Sequence, residues 1–281
     1  MNSDCFFTIG STHRVCQDYA ISKANHALIS DGCSSAPDTD FGSRLLVKSA
    51  EDQLVETMTC TSEHYSPDFL PWVFKSVIKN ANVTARVLEL SVDSLSATLL
   101  AVALDESHNI FSTICFGDGA VVGKTKEGKL HIMEYEFQSG APYYMRYELT
   151  KEDKNRYIKE FGREFVLRIT TVDPEGEISR ISKNGHLSLE EPFFQRWFDT
   201  DSYDTVAIMS DGINSFVKQE TTATSKQNFP VDSAEIIREL MVFKNYSGSF
   251  VQRRCQKAFK KFKELNITNY DDFSMGVVTT R

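Results

Sequence analysis

Short apolar runs recur along the chain between polar loops, and their length of four to eight residues predicts many β-strands. Longer segments with helical spacing predict four helices, over residues 41–58, 67–90, 233–243 and 249–265. The strands are predicted over residues 5–9, 18–24, 26–30, 96–105, 109–117, 120–125, 129–134, 165–172, 177–183, 205–209 and 273–280.

The order of these elements indicates the fold class. The strands cluster, with helices between and after the clusters, so the chain lacks a regular βαβ alternation. We therefore expect an α+β fold in which helices cover antiparallel sheets. The first and last strands both join the sheets, which predicts one domain over residues 1–281. Residues 137–162 have no clear period and are rich in tyrosine and charge, which predicts an irregular flap.

Three of the apolar runs end in the dipeptide Asp-Gly, at Asp31, Asp118 and Asp211, and a fourth strand follows Asp271 and Asp272. Asp-Gly is also a common hairpin turn, so one copy alone says little. A hairpin needs a return strand close behind. Such a strand, AVVGKTKEGKLHIM, is obvious only after Asp118, so we expect a hairpin there and a different role for the other copies.

Acidic side chains at the ends of several buried strands require cations if they converge on one edge of the fold. Carboxylate oxygens, a backbone carbonyl and water are the ligands that suit Mg²⁺ or Mn²⁺. The pattern therefore predicts a hydrolase that uses two metal ions.

Composition narrows the function further. The chain has 281 residues and a net charge of -8, which argues against a general role at nucleic acids or membrane surfaces. The N-terminal residues do not resemble a signal peptide, and no apolar run is long enough to span a membrane. We therefore expect a cytoplasmic protein with reduced thiols. The six cysteines form no CxxC pair, which argues against a structural zinc site.

The order of several motifs adds a resemblance that covers nearly the whole chain. The motifs are CQD at residues 16–18, DG at 31–32, SATLLAV, GDGAVVG, MSDGI and DDFSMGVV. In this order they resemble the metal-dependent protein phosphatase 2C family, and GSTHRVCQD followed by DGCSSAP is similar to a bacterial subgroup. The resemblance implies a four-layer α-β-β-α sandwich, in which two antiparallel sheets are flanked by helices and the metals lie at one end.

The resemblance also implies a metal-binding role for several acids. Asp31 would bridge two Mg²⁺ or Mn²⁺ ions, and the carbonyl of Gly32 would bind one of them. Asp211 and Asp271 would complete the protein ligands of the second ion. These three acids are the expected catalytic residues. Asp118 matches an acid that binds a third, weaker metal ion in many bacterial members of the family.

Other residues around the motifs have less direct expected roles. Asp18 would belong to the metal site by holding metal-bound water, and Asp272 would lie behind the ligands. His13 is the expected phosphate contact, with Arg14 as the alternative, because a cation suits a phosphate group. Cys33 stands where many members have a histidine that is proposed as the general acid. A thiol is a poor substitute, so protonation of the leaving group would fall to metal-bound water.

The resemblance implies hydrolysis of phosphoserine and phosphothreonine by a metal-activated water. The partner would be a phosphorylated protein, including a Ser/Thr kinase or its target. One alternative is a regulatory or scaffold protein that keeps the fold without catalysis. Another is a two-metal phosphoesterase with a different substrate, such as a nuclease or a cyclic-nucleotide phosphodiesterase.

Overall fold

A computed structural model describes residues 1–60, 69–221 and 226–281 of the chain. Its helices are α1 (Thr39–Cys60), α2 (Phe69–Val87), α3 (Lys151–Phe161), α4 (Ser233–Leu240) and α5 (Phe250–Glu264). Its strands are β1 (Asn2–Thr8), β2 (Tyr19–Lys23), β3 (His26–Ser30), β4 (Leu99–Asp105), β5 (Ile110–Phe116), β6 (Gly119–Thr125), β7 (Leu130–Phe137), β8 (Glu164–Val172), β9 (Ile178–His186), β10 (Phe194–Asp199), β11 (Tyr203–Met209), β12 (Phe216–Thr221), β13 (Lys226–Pro230), β14 (Ile267–Asn269) and β15 (Phe273–Thr279).

The strands form two large antiparallel sheets and one small one. The larger sheet has the order β1-β15-β11-β6-β7-β8-β9, and the smaller of the two has the order β10-β5-β4-β3-β2. Strands β13, β12 and β14 form a separate three-stranded sheet. The first strand, β1, pairs along its whole length with the last strand, β15, so the two ends of the described chain share one sheet.

Alternation along the strands explains why the sheets stack in layers. Leu28 and Leu99 of the five-stranded sheet pack among residues of α1 and α2, whereas Ile29 and Leu100 face the other large sheet. Successive side chains of a strand point to opposite faces, so a strand that is apolar at every position is buried on both. The same rule applies to the seven-stranded sheet.

On that sheet, Ala207 and Met275 pack in the cluster that contains α4 and α5, while Val206, Ile208 and Val278 join the core between the sheets. The layers are therefore helices, sheet, sheet and helices. The predicted α+β class and four-layer sandwich are confirmed. All four predicted helices are present, although residues 67 and 68 of the second prediction lie outside the described residues.

The hairpin expected at Asp118 is wrong. Strand β5 ends at Phe116 and belongs to the five-stranded sheet, whereas β6 begins at Gly119 and belongs to the seven-stranded sheet. The corner between them has glycines with positive φ at Gly117 (92°) and Gly119 (135°), a conformation that other residues adopt at a cost. Asp118 therefore lies where the chain crosses from one sheet to the other.

The flap is also more regular than predicted. Residues Met145–Glu148 form a 3₁₀ turn, and α3 follows after Thr150, whose hydroxyl accepts a hydrogen bond from the Asp153 N–H. Tyr157 is the buried residue of this helix. Because the other positions are exposed or partly exposed, the sequence shows no apolar stripe from which the helix could be predicted. The flap packs around a small core of buried Phe137, Tyr143 and Tyr157, which Leu187, just after β9, completes.

Two further features were absent from the prediction. Strand β10 forms an edge of the five-stranded sheet, and its sequence mixes aromatic residues with charge in a way that has no clean alternation. The three-stranded sheet was also missed. In the described ranges, no helix combines the length and apolar character that crossing a membrane requires.

Candidate active site

Four acids from separate parts of the chain line one cavity at an end of the sandwich. They are Asp31, Asp118, Asp211 and Asp271, and the cavity has a volume of about 270 Å³. Gly32 lines it as well. The structure thus brings together the acids that follow β3, β5 and β11 and the acid that precedes β15.

The backbone at Asp31 is tied to the neighbouring strand. Its N–H donates to the Thr98 hydroxyl at 3.0 Å, and its carbonyl accepts from the Thr98 N–H at 2.8 Å. Gly32 continues this pairing with an isolated bridge to Ala97. A side chain at Gly32 would place its Cβ 2.7 Å from the carbonyl oxygen of Thr39, so the close approach of α1 requires glycine here.

Asp211 and Asp271 are positioned by the pairing of β11 with β15. Asp211 opens the 3₁₀ turn Asp211–Ser215, and the N–H of Ser210 donates to the Ser274 carbonyl at 3.0 Å. Asp271 lies two residues before β15. Adjacent strands therefore present these two acids at the same end of the sheet.

Burial and repulsion between carboxylates raise the pKa values of three acids at the cavity, Asp31, Asp118 and Asp271. The pKa of Asp31 lies well above its ordinary value because of burial and because of the neighbouring carboxylates of Asp18 and Asp211. Burial, followed by the charge of Asp211, raises the pKa of Asp118 and of Asp271. Each acid makes its neighbours harder to ionise, and a bound cation would remove that penalty.

Asp18 lies fully buried behind the cavity. Its Oδ2 accepts a hydrogen bond from the Ser210 hydroxyl at 2.8 Å, while its Oδ1 is buried without a partner. Burial raises the pKa of Asp18 to about 7. Asp211 also has one buried carboxylate oxygen, Oδ1, without a partner. Buried oxygens without donors are costly, so each oxygen is suited to a cation or to a water held by one.

These donors fit hard divalent cations. Within the described ranges, no three His, Cys, Asp or Glu side chains already surround a common point as a metal site. Mg²⁺ is commonly bound through one or two carboxylates, with water as the remaining ligands. The Gly32 carbonyl adds a neutral oxygen at the same cavity.

Asp272 anchors the loop that leads to Asp18. The carboxylate is buried and accepts hydrogen bonds from the backbone N–H groups of Gly10 at 2.7 Å and Gln17 at 2.6 Å. The loop between these two residues is therefore fixed to the start of β15, and it carries His13 and Arg14.

The two candidate phosphate contacts occupy different positions. His13 lies beside the acids, with Nδ1 3.1 Å from Asp272 Oδ1 and Nε2 3.4 Å from Asp271 Oδ1. Arg14 is exposed, and neither His13 nor Arg14 is among the residues that line the cavity. This arrangement places the imidazole of His13 at the edge of the acid cluster.

Cys33 lines the cavity next to Gly32, and its Sγ lies 3.1 Å from the Ser35 hydroxyl oxygen. Burial raises the pKa of the Cys33 thiol, but hydrogen bonds with Ser35 and Tyr144 outweigh burial, so the net shift is downward. Tyr144, from the flap, is buried and lines the same cavity. Sequence reasoning missed Tyr144, for which the only signal was the abundance of tyrosine in the flap.

Comparison with known sequences establishes the family to which the chain belongs. A model of the protein phosphatase 2C family matches residues 10–242, so the chain belongs to that family and the resemblance is confirmed. The matched region contains Asp18, Asp31, Asp118 and Asp211 and ends before Asp271. Comparison with curated protein sequences found no match.

Solved structures share the fold at low sequence identity. Serine/threonine phosphatase Stp1 from Staphylococcus aureus is 12% identical, with a TM-score of 0.55 over 100% of this chain and 96% of that chain. The PPM Ser-Thr phosphatase MsPP from Mycobacterium smegmatis, in complex with cacodylate, is 13% identical, with a TM-score of 0.51 over 99% and 98%. A C. elegans sex determining protein is 12% identical, with a TM-score of 0.53, and this chain covers 64% of its length.

Proposed function

We propose that this protein hydrolyses phosphoserine and phosphothreonine monoesters in other proteins, with two Mg²⁺ or Mn²⁺ ions at the acid cluster. The observation that carries the proposal is the convergence of Asp31, Asp118, Asp211 and Asp271 on one cavity, with buried oxygens that lack donors close by. Membership of the protein phosphatase 2C family supports the same chemistry.

Asp31 would bridge the two ions, with the Gly32 carbonyl on one of them and Asp211 and Asp271 on the other. Asp118 would hold a third ion. When bound, the ions would activate a water as nucleophile and neutralise charge on the phosphoryl oxygens. No covalent intermediate on the protein is then needed.

The remaining side chains would orient the reactants. Asp18, held by Ser210, would accept a hydrogen bond from the attacking water through its free Oδ1 and so orient it. His13 would donate to a phosphate oxygen from the edge of the cluster. Cys33 has a thiol rather than an imidazole, so we assign it no proton transfer and place protonation of the leaving group on solvent bound at the metals.

Several broader features belong to this proposal. Residues 1–281 would form a single catalytic domain, which the pairing of β1 with β15 supports. The physiological substrate would be a phosphorylated protein, including a Ser/Thr kinase or its target, and the location would be the cytoplasm. A bacterial type of phosphatase, as the CQD motif suggests, stays a prediction of the sequence.

The test is hydrolysis of a phosphothreonine peptide and of a generic aryl phosphate with Mn²⁺, with Mg²⁺ and with chelator. We expect phosphate release that depends on the metal and falls at least about a hundredfold in Asp211→Asn. The matched control is Asp204→Asn, because Asp204 is buried and pairs with Arg281, away from the cavity. Folded, metal-loaded protein that hydrolyses neither substrate would favour the non-catalytic alternative, and hydrolysis of phosphodiesters alone would favour another phosphoesterase.

A further inference from the structure

A second cavity, which we call the side pocket, opens beside the candidate active site between the flap and the loop after Gly32. Its volume is about 370 Å³, and Ala36, Pro37, Ala141 and Tyr147 are among its walls. The two cavities share the lining residues Cys33, Ser35, Gly140, Pro142 and Tyr144. They are therefore adjoining parts of one surface depression, with Tyr144 at the boundary.

Hydrogen bonds hold both walls of the side pocket in place. On one wall, the Cys33 N–H donates to the Ser96 carbonyl at 2.9 Å, and the Ala36 N–H donates to the Cys33 carbonyl at 3.2 Å. On the other wall, the Tyr157 hydroxyl donates to the Ala141 carbonyl at 2.6 Å. Walls that are already fixed lose little conformational entropy when a side chain binds, and this favours selective binding.

The charge of the side pocket is balanced. Arg146 and Asp93 are the charged residues among the described residues that line it, and Arg146 Nη1 lies 3.2 Å from Asp93 Oδ1. The guanidinium also lies over the Tyr147 ring, 4.6 Å from its centroid, and only 18% of the Arg146 side chain is exposed. Because Asp93 pairs with this mostly buried cation, the pocket carries little net charge, although Arg146 Nε is buried without a hydrogen-bond partner.

We propose that the side pocket is a subsite for an uncharged, largely apolar side chain within two residues of the phosphorylated residue of a protein substrate. The inference rests on the proposed phosphatase function. An extended chain advances about 3.3 Å per residue, so a substrate with its phosphate at the acids carries its nearest neighbours past Tyr144. Proline, alanine and tyrosine walls then suit leucine, methionine or phenylalanine better than a charged side chain.

The experiment measures kcat/KM with Mn²⁺ for phosphothreonine peptides of equal length. One position at a time is varied, from two residues before the phosphothreonine to two residues after it. The varied position holds alanine, leucine, phenylalanine, glutamate or lysine. A generic aryl phosphate, which has no neighbouring residues, measures the chemistry alone. At one of these positions, we expect kcat/KM for the leucine or phenylalanine peptide to exceed kcat/KM for the alanine and glutamate peptides by about tenfold or more.

Two variants fill the pocket from opposite walls, Ala36→Phe and Ala141→Phe, so that a folding defect in one leaves the other available. Each should reduce the preference for the large apolar residue to less than about twofold, and hydrolysis of the aryl phosphate should stay within about twofold of the unmodified protein. Val83→Phe is the matched control, since Val83 is 61% exposed on α2. It should change neither quantity.

The outcomes separate the subsite from the function on which it rests. Hydrolysis of the peptides without any side-chain preference would overturn the subsite alone, as would a preference for glutamate, which would indicate anion binding by Arg146. Filling variants that lower aryl phosphate and peptide hydrolysis equally would also overturn it. Failure of the unmodified protein to hydrolyse either kind of substrate would overturn the proposed function and the subsite with it.

Discussion

Replacing Asp18 by asparagine should stabilise the metal-free protein while weakening its response to metal. The carboxylate is fully buried, and burial raises its pKa from 3.8 to about 7. At about 1.4 kcal/mol per pKa unit, that shift corresponds to a penalty on the order of 4 kcal/mol for keeping the group ionised in the folded state. Asparagine removes the charge and keeps an oxygen for the Ser210 hydroxyl, but its amide must also be desolvated. We therefore expect a gain of about 1–3 kcal/mol.

The sign of the pH dependence follows from the direction of the shift. Folding raises the pKa of Asp18, so between 3.8 and about 7 the folded protein keeps a proton that the unfolded chain releases. Its contribution to stability therefore declines as pH rises through that window, and the full penalty is present above it. The advantage of Asp18→Asn should accordingly be largest near pH 8 and about half of that or less near pH 5.

Urea unfolding in chelator near pH 5 and pH 8 measures this difference. Asp204→Asn is the control, because this buried acid accepts a hydrogen bond from Arg281 Nε at 2.6 Å and its replacement should destabilise the protein. Saturating Mn²⁺, at about a hundred times Kd, should stabilise the unmodified protein by about 2.7 kcal/mol for each bound ion and Asp18→Asn by clearly less. An Asp18→Asn protein that is less stable than the unmodified protein in chelator near pH 8 would contradict this prediction.

Three further predictions concern the supports of the site. Asp272→Ala should cost about 2–5 kcal/mol in urea unfolding, and Asp272→Asn less, because alanine leaves two N–H groups of the loop 10–17 without their acceptor; equal stability of the alanine variant would contradict this. Gly42→Ala gains about 1 kcal/mol in helix propensity but places a Cβ 1.6 Å from a backbone oxygen, so we expect a net loss of at least about 2 kcal/mol in the same assay, not a gain. In steady-state kinetics on phosphopeptides, His13→Ala should raise KM several-fold while Arg14→Ala changes it less than twofold, and the reverse order would shift the phosphate contact to Arg14.

The layers of the fold could be predicted because buried strands are recognisable in the sequence as short apolar runs. The strand at residues 26–30 has an apolar centre, Ala27 to Ile29, and every position is buried in the structure because both faces are covered. The acids after these strands were found for the same reason, since a polar residue that ends a buried run is conspicuous. To predict that these acids converge on one cavity requires the strand order, because that order determines which residues distant in sequence lie close together.

Other parts could not be predicted because their signals are weak or non-local. Strand β10 is a partly exposed edge, and α3 is mostly exposed, so neither shows a complete apolar period. Asp118 was assigned to a hairpin because consecutive strands usually pair, whereas here they belong to different sheets. Tyr144 approaches Cys33 only through the folding of the flap over the loop after Gly32, which no local pattern specifies.

The central claim is that the acid cluster binds the cations on which phosphate release depends. The most direct measurement is a titration of the protein with Mn²⁺ in which bound Mn²⁺ and release of phosphate from a phosphothreonine peptide are recorded together, with Asp211→Asn beside the unmodified protein. We predict at least two bound ions per chain, activity that rises as they bind, and loss of both one ion and the activity in Asp211→Asn. Full activity in chelator, or Mn²⁺ binding and activity that Asp211→Asn leaves unchanged, would contradict it.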